Sequence, residues 1–139
     1  MLAKICREFR PRAEEAGLSL ECELDSAIFL QSHPDQIYHG IVNLLKNALE
    51  SCASGDRIEV SLRRKAPSRI EVVVRDTGRG MDAAELAKAL SIGFTTKADG
   101  HGLGLHSFAV FLSANRGRLR LESPGIGQGC SAIMEIEDA

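Results

Sequence analysis

Four short stretches carry residue types that can do chemistry together. In Asp76-Thr77-Gly78-Arg79-Gly80-Met81-Asp82 a carboxylate is followed at once by two glycines separated by one residue. The glycines let the backbone turn sharply and admit another surface close to it. A carboxylate held at that point can accept a hydrogen bond from a polar group at the bottom of a pocket. Asp-x-Gly is also an ordinary way to leave a strand. Upstream, Asn43 and Asn47 lie four apart, so both project from one side of a helix. An amide oxygen is a hard, neutral ligand, and Mg²⁺ takes one or two protein oxygens before completing its shell with phosphates and water. Asn47 suits that role, with Asn43 supporting it or also reaching the metal or the phosphates, and Lys46 next door can face phosphate oxygens. The plainer alternative is a solvated helix face, although asparagine is a mediocre helix former.

Downstream, Gly100-His101-Gly102-Leu103-Gly104-Leu105 is a glycine-rich loop running into a helix. Free backbone N–H groups at a helix start make a phosphate cradle. The stretch follows no strand, as a dinucleotide fingerprint would, and it is not a Walker A sequence. A flexible loop and helix start is the alternative. Just before it, Phe94-Thr95-Thr96-Lys97 combines an apolar anchor, two hydroxyls and an ammonium. That composition suits a lid over a nucleotide, with Lys97 meeting phosphate charge, or a surface loop with a buried Phe.

The elements that must position these residues follow from periodicity. Leu2, Ile5, Cys6, Phe9 and Ala13 fall at helical spacing, so residues 1–17 read as a helix that Gly17 stops and Pro11 kinks or divides. Leu18, Leu20, Cys22 and Leu24 alternate as a half-buried strand, and residues 27–30 suggest a second brief one. His33-Pro34-Asp35 opens a helix whose buried face is Ile37, Ile41, Leu44, Leu45, Ala48 and Cys52. Its polar stripe carries His39, Asn43, Lys46, Asn47 and Glu50. Ile58, Val60 and Leu62 alternate in one strand and Ile70, Val72 and Val74 in the next, joined as a hairpin through Ala66-Pro67-Ser68. Residues 83–90 read as a short helix, 103–115 as a longer one ended by Gly117, and 118–123 and 131–136 as two final strands. The expected product is an α/β two-layer sandwich, a mixed, mostly antiparallel sheet under about three helices.

Composition narrows the class. With 139 residues the chain can bury a core of its own. A net charge of -2 offers no basic footprint for nucleic acid, and with no Trp and one Tyr there is no aromatic platform for stacking bases. Cys6, Cys22, Cys52 and Cys130 form no CxxC and read as small buried hydrophobes of a reducing compartment. No apolar run is long enough to span a bilayer and no signal-peptide pattern opens the chain, so a soluble cytoplasmic domain is expected, whether the parent protein is membrane-bound or soluble.

Taken in order, these stretches resemble the boxes of the GHKL ATPase/kinase superfamily. Residues 35–48 resemble its N box, Asp76 to Met81 its G1 box, Gly93-Phe94-Thr95-Thr96-Lys97 its F box and Gly100 to Leu105 its G2 box. Gly127-Gln128-Gly129-Cys130-Ser131 is similar to its closing glycine motif. Among members, the catalytic, ATP-binding domain of bacterial sensor histidine kinases is the nearest in pattern. The resemblance implies a Bergerat fold over residues 18–139 and a site for ATP and Mg²⁺. Asp76 would bind the adenine amino group, with Gly78, Gly80 and Met81 shaping that pocket. Asn47 would coordinate Mg²⁺ with Asn43 beside it, and Lys46 would approach the phosphates. Phe94, Thr95, Thr96, Lys97, Gly100, His101, Gly102, Leu103, Gly104 and Leu105 would form the lid and the triphosphate cradle.

Two departures refine the expectation. Members that hydrolyse ATP carry a glutamate as general base where this chain has Asn43, so the resemblance implies phosphoryl transfer to a partner. Transfer is mostly positioning and charge neutralisation. Histidine kinases also carry the accepting histidine in a preceding helical dimerisation domain, which this sequence does not contain. His33 precedes Pro34 but sits in the loop entering the N-box helix. Residues 1–17 then read as the end of the connection to a dimerisation and phosphoacceptor domain, with a response regulator receiver domain downstream. The rivals are a free-standing GHKL serine kinase of the anti-sigma-factor type and a non-catalytic nucleotide-binding module.

Overall fold

The computed structural model describes residues 1–28, 33–90 and 103–137. Among these, five strands form one sheet and four helices accompany it. In chain order they are α1 (Leu2–Glu15), β1 (Ser19–Leu24), α2 (Pro34–Ser51), β2 (Arg57–Ala66), β3 (Arg69–Asp76), α3 (Ala83–Lys88), α4 (Leu103–Ala114), β4 (Gly117–Glu122) and β5 (Cys130–Glu137). The strand order is β1-β2-β3-β5-β4. Only the β1–β2 pair is parallel, as the long return through α2 requires. The other pairs are antiparallel, so the expected mixed, mostly antiparallel sheet is what forms.

Alternation decides which face is covered. Ile58, Val60 and Leu62 of β2, Ile70, Val72 and Val74 of β3, and Ala132, Met134 and Ile136 of β5 are buried beneath the helices. Three helices supply the other half of the core. Leu2, Ile5, Cys6, Phe9 and Ala13 come from α1, Ile37, Ile41, Leu44, Leu45 and Ala48 from α2, and Phe108 and Leu112 from α4. The helix α3 buries no residue, which reconciles four helices with the expectation of about three packed on the sheet. It is held by its own start, where Asp82 accepts from Glu85 N and Glu85 bonds back to Asp82 N.

Three local expectations need correction. Pro11 does not end α1, which runs through it to Glu15. Pro11 and Arg7, whose carbonyl it leaves without an N–H, are both exposed, so water can take the bond. Gly117 does not stop α4; Arg116 takes the left-handed turn at φ 62 and Gly117 opens β4. A β-carbon on Gly117 would stand 2.5 Å from the Glu135 carbonyl oxygen, so glycine there serves strand approach. Of the brief strand expected over 27–30, Ala27 lies in a turn and Ile28 in no strand, and the remainder lies outside the described residues.

Candidate functional site

Asp76 ends β3, the central strand, opposite Ile58 of β2 and Cys130 of β5. Its register places it among residues that alternate toward the helices, and it is buried. Its Oδ1 accepts the Gly78 N–H at 2.9 Å, and the Cys130 backbone N–H also supports the carboxylate. Burial nevertheless raises the Asp76 pKa above the ordinary carboxylate range, because those two bonds offset desolvation only in part.

The loop after Asp76 is fixed from two sides. On one side it meets the C-terminal end of α2. Arg79 N donates to the Ser51 carbonyl at 2.9 Å, and a β-carbon on Gly78 would be 2.3 Å from that same oxygen. On the other side it meets residues 123–129. Gly127 N donates to the Arg79 carbonyl at 2.6 Å, Gly129 N to the Gly78 carbonyl at 3.2 Å and Met81 N to Ser123 Oγ at 3.0 Å. Gly80 has φ 69, and a β-carbon on it would lie 2.2 Å from the Gly125 carbonyl oxygen. Both G1-box glycines are therefore demanded by contact.

Thr77 closes the base of the loop. Its Oγ1 accepts from Arg57 N at 2.9 Å and donates to Asp56 Oδ1 at 3.1 Å, while Asp56 Oδ2 accepts Ala53 N at 2.8 Å. The Cys52 and Cys130 thiols flank Asp76. Burial, and then the Asp76 charge, push them up to about 12 and about 11.

The helix α2 connects this loop to the start of α4. Asn43, Asn47 and Ser51 lie four apart along it and face the same side. From Asn43 to Ser51 is about 12 Å of helix rise. Asn43 and Asn47 are half-buried and Lys46 is exposed. At the Asn43 end, a β-carbon on Gly104 would lie 2.8 Å from Asn43 Nδ2, so the first turn of α4 abuts that side chain. Deeper in the same helix pair, Gly40 lets α2 approach α4, since a β-carbon there would overlap the Phe108 ring at 2.2 Å. Leu105 is half-buried against the core. Phe94, Thr95, Thr96, Lys97, Gly100, His101 and Gly102 lie outside the described residues, as does the side chain of Leu103.

The structure thus brings Asp76, Gly78 and Gly80 to one end of the α2 face and Asn43 and Gly104 to the other, with Asn47 between. Among the described residues no three His, Cys, Asp or Glu side chains gather into a metal cluster. A cation on this face would take amide oxygens, phosphate and water, which is the donor set of Mg²⁺.

Sequence reasoning gave no role to several residues that build the site. Ser123, Thr77 and Asp56 act through single hydrogen bonds with no sequence signature, and Ser51 acts through its backbone. Gly129 was visible in the closing glycine motif. It has φ 76, and a β-carbon on it would lie 2.2 Å from the Asp76 carbonyl oxygen. His106 is half-buried with Nδ1 2.9 Å from the Leu90 carbonyl. His39 is exposed with its ring edge-on to Tyr38, and His33 is exposed with its ring edge-on to Phe111.

Known proteins resemble the chain in sequence and in fold. The family described as histidine kinase-, DNA gyrase B-, and HSP90-like ATPase matches residues 32–139. The sensor histidine kinase ZraS of Klebsiella oxytoca is 35% identical over 99 residues, covering 70% of this chain and 21% of that protein. The chain therefore spans about a fifth of that relative's length. Among solved structures, the catalytic domain of histidine kinase ThkA superposes with a TM-score of 0.84 at 23% identity, covering 99% of this chain and 92% of that one. Full-length ShkA in complex with AMPPNP gives 0.84 at 22% identity, covering 99% of this chain and 30% of that one.

Proposed function

The chain belongs to the histidine kinase-, DNA gyrase B-, and HSP90-like ATPase family, and on that premise we propose that it is the ATP-binding catalytic domain of a two-component sensor histidine kinase. The observation that carries the proposal is the pairing of a buried, backbone-braced Asp76 with the amide-bearing face of α2. In this role Asp76 accepts the adenine amino group. The ionised carboxylate is acceptor-only, and the Gly78 N–H on Oδ1 leaves lone pairs for a purine donor. Gly78 and Gly80, with Met81 beside them, set the shape of that pocket by letting the loop lie against α2 and residues 123–129.

Asn47 and Asn43 hold Mg²⁺ together with the phosphates. When bound, the ion neutralises charge that builds on the transferring phosphoryl group. Lys46 approaches the phosphates from the exposed edge of the same face. The first turn of α4 offers backbone N–H groups to the triphosphate, and Gly104 keeps that turn against Asn43. The lid expected from Phe94 to Gly104 falls almost wholly outside the described residues. Asn43 stands where a hydrolase would carry a glutamate as general base for water. The site holds the nucleotide for an acceptor instead.

The acceptor in this reading is a histidine on a dimerisation domain of the parent protein, to which residues 1–17 lead. The downstream partner is a response regulator receiver domain. Among the described residues no helix is long and apolar enough to cross a membrane, and the domain works in the cytoplasm. Incubation with radiolabelled ATP and Mg²⁺ tests the proposal. The chain alone should remain unlabelled, and the parent's dimerisation domain, added or fused, should gain acid-labile label. Acid-stable label on a serine of a partner would favour the anti-sigma type of kinase, and failure to bind ATP would favour a non-catalytic module.

A further inference from the structure

The strand that delivers Asp76 leaves the sheet in an unusual way. Ile58 faces Asp76, so the next pair along β2 and β3 is Arg57 with Thr77. A hydrogen-bonded antiparallel pair exchanges two backbone bonds. The first is present, from Thr77 N to the Arg57 carbonyl at 3.0 Å. The second runs from Arg57 N to the Thr77 hydroxyl at 2.9 Å, in the place of the Thr77 carbonyl. The Thr77–Gly78 peptide is thereby released from the ladder. It turns so that the Gly78 N–H meets Asp76 Oδ1 at 2.9 Å.

A hydroxyl keeps its lone pair on one donor when its own proton has a fixed acceptor. Asp56 supplies that acceptor, with Oδ1 3.1 Å from Thr77 Oγ1. Asp56 is itself pinned. Its Oδ2 accepts Ala53 N at 2.8 Å, its N–H donates to the Ala53 carbonyl at 3.0 Å, and its carbonyl accepts Ser19 N at 3.2 Å. The acid is therefore a post between the turn after α2, the start of β1 and Thr77. Serine and threonine are the side chains whose one short-reach oxygen both accepts from a backbone N–H and donates to a carboxylate.

Resting on the purine role proposed above for Asp76, we propose that Thr77, held by Asp56, is a positioning residue for that carboxylate. Its hydroxyl stands in for its own carbonyl in the β2–β3 ladder, and the freed peptide lets the Gly78 N–H fix the Asp76 side chain. Thr77 acts through Gly78 and needs no contact with the nucleotide. With valine at this position the Thr77 carbonyl is the remaining local acceptor for Arg57 N–H. Taking that bond turns the Gly78 N–H away from Asp76.

Two substitutions separate the hydroxyl from the shape: Thr77→Val keeps the shape and Thr77→Ser keeps the hydroxyl. In the nucleotide-free chain, hydrogen exchange of the Gly78 amide should quicken by about tenfold in Thr77→Val and stay near wild type in Thr77→Ser. The Val72 amide, in the middle of β3, should change far less, whereas a general loss of stability would move both. Titration with Mg²⁺ and either ADP or inosine diphosphate, a purine without the amino group, should show the preference for ADP narrowed in Thr77→Val and kept in Thr77→Ser. Asp56→Ala should shift both readings the same way and add nothing to Thr77→Val. Gly78 staying protected in Thr77→Val, or losing protection as fully in Thr77→Ser, would overturn the proposal. Should wild type bind the two nucleotides equally while Gly78 still responds, the purine role of Asp76 falls and the positioning by Thr77 stands.

Discussion

Gly104 stands so close to Asn43 that a β-carbon on it would lie 2.8 Å from the amide nitrogen. The atom in the way is the end of a side chain, which can swing aside, so the fold should tolerate Gly104→Ala. Asn43 would have to leave its place on the proposed nucleotide face to make room. Thermal unfolding of Gly104→Ala is expected within roughly 1 kcal/mol of wild type, while affinity for ADP with Mg²⁺ falls by about tenfold. Calorimetry on one preparation measures both. Unchanged affinity would separate Gly104 from the site.

Gly127 and Gly129 divide differently. Both are left-handed, at φ 79 and φ 76, so alanine is strained at either by roughly 1–2 kcal/mol. Nothing lies within 4 Å of a β-carbon on Gly127, but at Gly129 it would meet the Asp76 carbonyl oxygen at 2.2 Å. Gly127→Ala should show the strain alone. Gly129→Ala should lose more stability and should also weaken nucleotide binding, because the backbone of Asp76 must move. Denaturant unfolding of the two variants side by side checks the difference, and equal losses would remove the close approach as a cause.

In its proposed role, Asp76 sets function against stability. Its pKa is raised by burial, so between the ordinary carboxylate value and the raised one the folded state binds more protons than the unfolded state. Stability contributed by this group therefore falls as pH rises through that window and stays reduced above it. Asp76→Asn removes the buried charge while keeping an acceptor for the Gly78 N–H. At neutral pH, Asp76→Asn without nucleotide should be at least as stable as wild type, and its advantage should vanish below the window. Chemical denaturation across pH measures this, and a clear loss of stability at pH 7 would contradict it.

Glu135 shows the opposite sign on the uncovered face of the sheet. Lys65 Nζ lies 2.6 Å from its Oε1, with Arg120 and Arg69 at 3.5 and 3.8 Å, and the Lys65 bond above all holds its pKa below the usual carboxylate value. Its contribution is present above the unfolded pKa and lost as pH falls through the lowered one. Because Lys65 is half exposed, Glu135→Gln should cost only about 1 kcal/mol at neutral pH. The difference should close in acid. A pH-independent difference would assign the effect to packing.

How much of this was legible follows from the kind of signal each residue carries. The alternation of Ile58, Val60 and Leu62, and the helical spacing of Ile37, Ile41 and Leu45, fixed the elements because burial on one face enforces a period. Asp76, Gly78 and Gly80 stood out because backbone conformation and close contact restrict residue type there. Asn43 and Asn47 stood out because their spacing defines a helix face. Thr77, Asp56 and Ser123 were silent, since one hydrogen bond made across a long sequence separation leaves no local pattern. Gly40 was hidden for a related reason. It reads as an ordinary break in helix propensity until Phe108 is seen lying over it. Pro11 misled because propensity alone ignores that the exposed carbonyl it orphans can turn to water.

The central claim is that the Asp76 carboxylate reads the purine amino group. Inosine diphosphate, which lacks that group, tests it most directly against ADP, both titrated calorimetrically with Mg²⁺ into wild type and Asp76→Asn. Wild type should bind ADP well above inosine diphosphate, by about tenfold or more, and the preference should disappear in Asp76→Asn. Equal affinity of wild type for the two nucleotides, or a preference that survives the substitution, would contradict the assignment.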